Sequence, residues 1–161
     1  MTKAEFEDLL SRAGELAKDW NFFLIGSQAL RGVCATIPRD FPKTIEADRY
    51  LDCTDPGLAT LPDDRTERLI PFRTPRTGGV TAWCLAPHDR FVSKLVAWRE
   101  KDQQFLRAMF KHKLARPKLV ANRIEDLPVS WADQAELKMH AEELVAQLRA
   151  ISRKSLRRSK S

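Results

Sequence analysis

Apolar residues recur at helical spacing over residues 2–18, where Phe6, Leu9, Leu10, Ala13 and Leu16 share one side. The chain is therefore expected to open with an amphipathic helix. Trp20-Asn21 interrupts that period. Phe22-Phe23-Leu24-Ile25 follows as a wholly apolar run ending at Gly26, the signature of a short buried strand. Helical character resumes over residues 27–31, so Gly26-Ser27 falls at a strand-to-helix turn. A proline-containing loop, residues 37–42, leads to residues 43–51, a second expected strand. Residues 53–66 hold three turn formers and read as a loop with a short helical turn. Residues 68–73 and 80–85 are the next strand candidates, and Thr77-Gly78-Gly79 between them suits a hairpin turn.

The second half of the pattern is helical. Pro87 fits a first helical turn and Asp89 the positive end of its dipole. One continuous helix is expected over residues 88–111, with Phe91, Leu95, Trp98, Phe105, Leu106 and Met109 as its apolar side. Residues 116–126 form a short helix closed by Pro128. Ser130, with Asp133 three positions on, caps a last helix from Trp131 to about Ile151. The order α-β-α-β-β-β-α-α-α predicts an α+β fold, a mixed β-sheet flanked by helices. No repeat or internal linker interrupts residues 1–150, which read as one domain followed by a disordered tail, residues 151–161.

Bulk numbers fit that picture. A length of 161 residues suits one domain, and 43% hydrophobic with 31% charged residues is ordinary for a soluble globular protein. No stretch reaches the ~18 apolar residues that cross a bilayer, and the acidic, amphipathic start is unlike a signal sequence. A cytoplasmic protein without membrane contact is expected. Cys34, Cys53 and Cys84 lack metal-ligand spacing and read as free thiols. The formal charge of +6 is a property of the end: residues 149–161 hold six of the 28 basic residues and no acid, and the other 22 balance 22 acids. Such a run attracts phosphate backbones, although it equally suits a solubilising end.

Candidate chemistry begins at Glu46-Ala47-Asp48. Residues two apart on a strand face the same way, so two carboxylates stand close together on one side. Their repulsion calls for a cation, and Mg²⁺ prefers such oxygen ligands. The same pattern also fits the wet face of an edge strand. At the Gly26-Ser27 turn, backbone N–H groups can approach a phosphate without interference from a Cβ. Further on, Lys94, Trp98 and Lys101 would lie along one stripe of the expected helix, and Arg99 with Asp102, three apart, can pair. A cationic stripe of this kind can hold phosphate oxygens, or be merely a solvated helix face. Capping explains His88 and Asp89, and Trp20, Trp83, Trp98 and Trp131 read as core.

Taken together, Phe23-Leu24-Ile25-Gly26-Ser27, Thr44-Ile45-Glu46-Ala47-Asp48 and the segment from Lys94 through Leu95, Ala97, Arg99 and Lys101 to Asp102 resemble the nucleotidyltransferase fold of the DNA-polymerase-β-like superfamily. The likeness is to small bacterial proteins near the AbiEii-type toxins. It covers residues 20–112, leaving residues 113–150 as a helical extension. It implies phosphate binding by Gly26 and Ser27, Mg²⁺ binding by Glu46 and Asp48, and triphosphate contact by Lys94, with Arg99, Lys101 and Asp102 as a supporting cluster. Glu46, Asp48 and Lys94 would be the catalytic residues. The sequence departs from that pattern at Glu46, where Asp is usual, and at Ala47, Arg49 and Phe105. It also lacks a clear third carboxylate, the usual base.

Three readings follow. The first is a Mg²⁺-dependent nucleotidyltransferase moving a nucleoside monophosphate from an NTP to RNA, tRNA in particular, or to a protein hydroxyl. The second is a catalytically weak or inactive binding module, a pseudo-enzyme or antitoxin. The third is a purely structural interaction protein. The resemblance also implies a place in a toxin–antitoxin or phage-defence system, with a cognate partner protein.

Overall fold

Thr2 starts the first helix, α1 (Lys3–Ala17), through a reciprocal cap. Its hydroxyl accepts from the Glu5 amide at 3.2 Å, and the Glu5 carboxylate accepts from the Thr2 amide at 2.6 Å. Lys18, in the left-handed region at φ 52°, ends it. Phe6, Leu10 and Gly14 form the buried side, whereas Leu16, which the spacing assigns to the apolar side, is 87% exposed. A computed structural model describes residues 2–24, 29–34, 37–38, 40–42 and 60–158. The expected strand over residues 43–51, the Gly26-Ser27 turn and Cys53 lie outside those residues.

After α1 come β1 (Asn21–Leu24), α2 (Ala29–Val33), a 3₁₀ turn (Asp63–Arg68), β2 (Ile70–Phe72), a second 3₁₀ turn (Pro75–Thr77) and β3 (Thr81–Cys84). Among the described residues the sheet has three strands in the order β1-β3-β2 and is mixed. β1 runs parallel to β3, with Asn21 opposite Thr81 and Leu24 opposite Cys84. β2 runs antiparallel to it, with Ile70 opposite Cys84 and Phe72 opposite Ala82. Between β2 and β3 the tight hairpin expected at residues 77–79 is a wider connection that includes the second 3₁₀ turn. Gly78 and Gly79 supply its positive φ angles of 60° and 92°.

Alternation along the strands sends Leu24, Phe72, Ala82 and Cys84 into a core shared with Phe6, Leu10, Ala29 and Val80. β1 is therefore not buried on both faces as the apolar run over residues 22–25 suggests, because Phe23, of opposite parity, is 56% exposed. Arg76 ties the second 3₁₀ turn to α1 through Asp8 at 2.8 Å and Glu7 at 3.4 Å.

These elements belong to one compact unit, Met1–Ala59 with Asp64–Pro87; a second comprises Thr60–Asp63 and His88–Ser161. The second is helical: α3 (Pro87–Ala97), α4 (Glu100–Lys111), α5 (Pro117–Glu125) and α6 (Trp131–Arg158). The single helix expected over residues 88–111 is thus two, broken at Trp98-Arg99. Trp98 stands at φ 43° and its indole stacks on the His140 ring, with centroids 3.8 Å apart and planes 5° from parallel. Periodicity across residues 88–111 does not reveal that break because no Gly or Pro marks it.

α6 continues to Arg158, beyond the end near Ile151 that the pattern implies. Arg, Lys and Leu are good helix formers, and no Gly or Pro intervenes before that point. Trp131 is 90% exposed, contrary to its reading as core. It precedes the buried Leu137 by six positions, about 240° around the helix, and so falls on the other side. The class is α+β, with a small mixed sheet and mostly helices.

Candidate functional site: a carboxylate-bridged cation pair

The break between α3 and α4 builds the site. Arg99, in extended conformation, is the N-cap residue of α4, which places Asp102 at the third helical position beside the positive end of the helix dipole. The carboxylate then reaches two cations at once. Asp102 Oδ1 accepts from Lys94 Nζ at 2.7 Å and Oδ2 from Arg99 Nε at 2.7 Å. Asp102 is 1% exposed, Lys94 16% and Arg99 57%. Lys94 Nζ also stands 5.3 Å from the centroid of the Phe105 ring, a cation–π contact.

Burial alone would push the Asp102 carboxyl up. The hydrogen bonds from Lys94 and Arg99, with their charges, outweigh it and hold the group below the ordinary carboxylate range. Asp102 is therefore an anion at neutral pH, and two cations against one anion leave the cluster one net positive charge. With Nε held by Asp102, the terminal Nη groups of Arg99 make no hydrogen bond within the described residues. This is the geometry in which a guanidinium, fixed from behind, offers a two-donor fork to a phosphate or carboxylate.

Of the residues singled out by sequence, the structure brings together Lys94, Arg99 and Asp102. The Arg99–Asp102 pair is the i,i+3 contact expected. The Lys94–Trp98–Lys101 stripe is not formed, because it presumed one unbroken helix. Lys101 is exposed on α4, and the cations that close on Asp102 are Lys94 and Arg99. Gly26, Ser27, Glu46 and Asp48 lie outside the described residues. Among the described residues no group of three or more His, Cys, Asp or Glu side chains could hold a metal ion.

Three contacts in the same helical unit escaped sequence reasoning. Asp89, read from sequence only as a first-turn residue at the positive end of the helix dipole, is fully buried and stands 3.3 Å from Arg123 Nε of α5. His88 Nε2 accepts from the Arg116 amide at 3.1 Å. Burial, then the Arg116 charge, lower the His88 pKa, which suits an imidazole acting as acceptor. The third is the Trp98–His140 stack. Each joins residues 28 or more positions apart, which no local period reports.

Comparison with family models, curated proteins and solved structures finds no match. Among the described residues no helix is long and apolar enough to cross a membrane.

Proposed function

We propose that this protein is a Mg²⁺-dependent nucleotidyltransferase that moves a nucleoside monophosphate from an NTP to an RNA, tRNA in particular, or to a protein hydroxyl. The observation that supports this reading is the bridging of Lys94 and Arg99 by the buried Asp102, which leaves the outer donors of a fixed guanidinium for an anion. Motif resemblance supplies the rest of the assignment: Gly26 and Ser27 for phosphate, Glu46 and Asp48 for Mg²⁺, Lys101 as a further cation. In the reaction the acceptor oxygen bonds to the α-phosphorus as the bond from that phosphorus to pyrophosphate breaks. The acceptor proton passes to solvent, and Lys94 and Arg99 offset charge on the phosphates. Mg²⁺ held by the two carboxylates would supply further charge neutralisation there. A place in a toxin–antitoxin or phage-defence system, with a cognate protein partner, belongs to the same reading.

The test is incubation of the full chain with each α-labelled NTP, Mg²⁺, bulk RNA and bulk protein. Label should enter a macromolecule, disappear with Asp48→Ala, and fall by about a hundred-fold with Lys94→Ala. Absence of transfer from every NTP overturns the catalytic reading. One observation favours a second reading, an inactive NTP-binding module such as a pseudo-enzyme or antitoxin. Phe105, 1% exposed beneath Lys94, stands where the resembling toxins carry another Asp. Calorimetric NTP binding that needs Lys94, without turnover, would establish that module instead.

A further inference from the structure

Within the helical unit, two hollows of about 530 and 490 Å³ share Pro117, Val145 and Arg149 and so adjoin one another along α5, α6 and the end of α4. Their lining pairs two kinds of residue. The floor is aliphatic, with Ala121, Ala141, Val145 and Leu148. Around it stand five basic residues, Lys111, Lys118, Lys138, Arg149 and Arg153, against one acid, Glu142. Lys138 is engaged with Glu125 at 2.8 Å, whereas Lys118, Arg149 and Arg153 form no ion pair within the described residues.

We propose that this trough docks an acidic amphipathic helix of a partner protein. An aliphatic floor accepts the apolar side of such a helix, and a basic rim accepts the carboxylates beside it. Nucleic acid suits the rim and not the floor. Single strands bind basic grooves by stacking bases on accessible aromatic rings, and the aromatic ring in this lining, Phe110, is 9% exposed. A second copy of the chain is a poor source: α1 carries the needed acids, but Phe6 and Leu10, its apolar side, are buried in its own unit. The inference uses none of the Lys94 cluster and does not rest on the proposed activity.

The experiment titrates the full chain into a fluorescein-labelled designed peptide of about 15 residues, leucine and alanine on one helical face and glutamate on the other. Anisotropy at about 0.15 M salt should report saturable binding with a micromolar Kd. A scrambled peptide of the same composition should bind about ten-fold more weakly, because its apolar residues no longer share a face. The double variant Arg149→Glu/Arg153→Glu should lose about ten-fold or more with unchanged circular dichroism, as should Val145→Glu. Lys94→Ala should leave the affinity unchanged. Equal binding of the scrambled peptide, or of an oligouridylate of matched charge, would reduce the trough to a general polyanion surface and overturn the proposal. No binding up to about 1 mM would also overturn it.

Discussion

Replacing Asp102 by Asn would leave the ammonium of Lys94, 16% exposed, with an uncharged partner, and would release the Arg99 side chain. Removing one member of a buried charge pair costs about 3–5 kcal/mol, and the part-exposure of both cations brings the expected loss to about 2–4 kcal/mol. Denaturant unfolding of Asp102→Asn near neutral pH measures it. The sign with pH follows from the direction of the shift. Because the folded carboxyl titrates below the ordinary value of 3.8, its contribution is complete above that value. It is lost as pH falls through the lower, folded value. The stability gap between the parent protein and Asp102→Asn should therefore close in acid. A gap that stays constant from neutral to acidic pH would show that the carboxylate charge is not what the cations need.

Among the elements, α1 shows how close packing overrides propensity. A Cβ on Gly14 would collide with Val80 Cγ2, a stiff, fully buried side chain, and lie 3.3 Å from the Asp19 carbonyl. Gly14→Ala gains up to about 1 kcal/mol of helix propensity but overpacks the core at a cost of about 1–3 kcal/mol. A net fall in melting temperature is expected in a thermal scan; a rise would mean that α1 shifts freely away from Val80. The outline of α1, β1, β3 and α5 was legible because each carries its own period or punctuation, such as the apolar spacing of Phe6 and Leu10 in α1 and Pro128 after α5. The division of α3 from α4 was not. Every residue from Lys94 to Asp102 is compatible with a helix, and the contact found at the turn, the Trp98–His140 stack, joins positions that no local pattern relates.

For the molecule as a whole, charge is concentrated at one end of the chain. Truncation after Ala150 removes Arg153, Lys154, Arg157, Arg158 and Lys160, taking the formal charge from +6 to +1. Binding of bulk single-stranded RNA should weaken, and its dependence on log salt should flatten by about 0.7 for each phosphate that the tail had neutralised. Filter binding at several salt concentrations reads both, and an unchanged slope would show that the tail touches no phosphate. This charge distribution was determined by residue order alone, as were the helical and strand periods and the Arg99–Asp102 spacing, since each is a property of residues near one another in the chain. Other features needed the third dimension. On an unbroken helix Lys94 and Asp102 would sit about 12 Å apart along the axis. With the chain turned at Trp98, Lys94 Nζ meets Asp102 Oδ1 at 2.7 Å. Likewise, the burial of Asp89 beside Arg123 and the basic rim around the α5–α6 trough arise only when separate helices pack together. Local sequence sets which faces are apolar or charged. The partner that each face meets depends on the way the chain turns between helices.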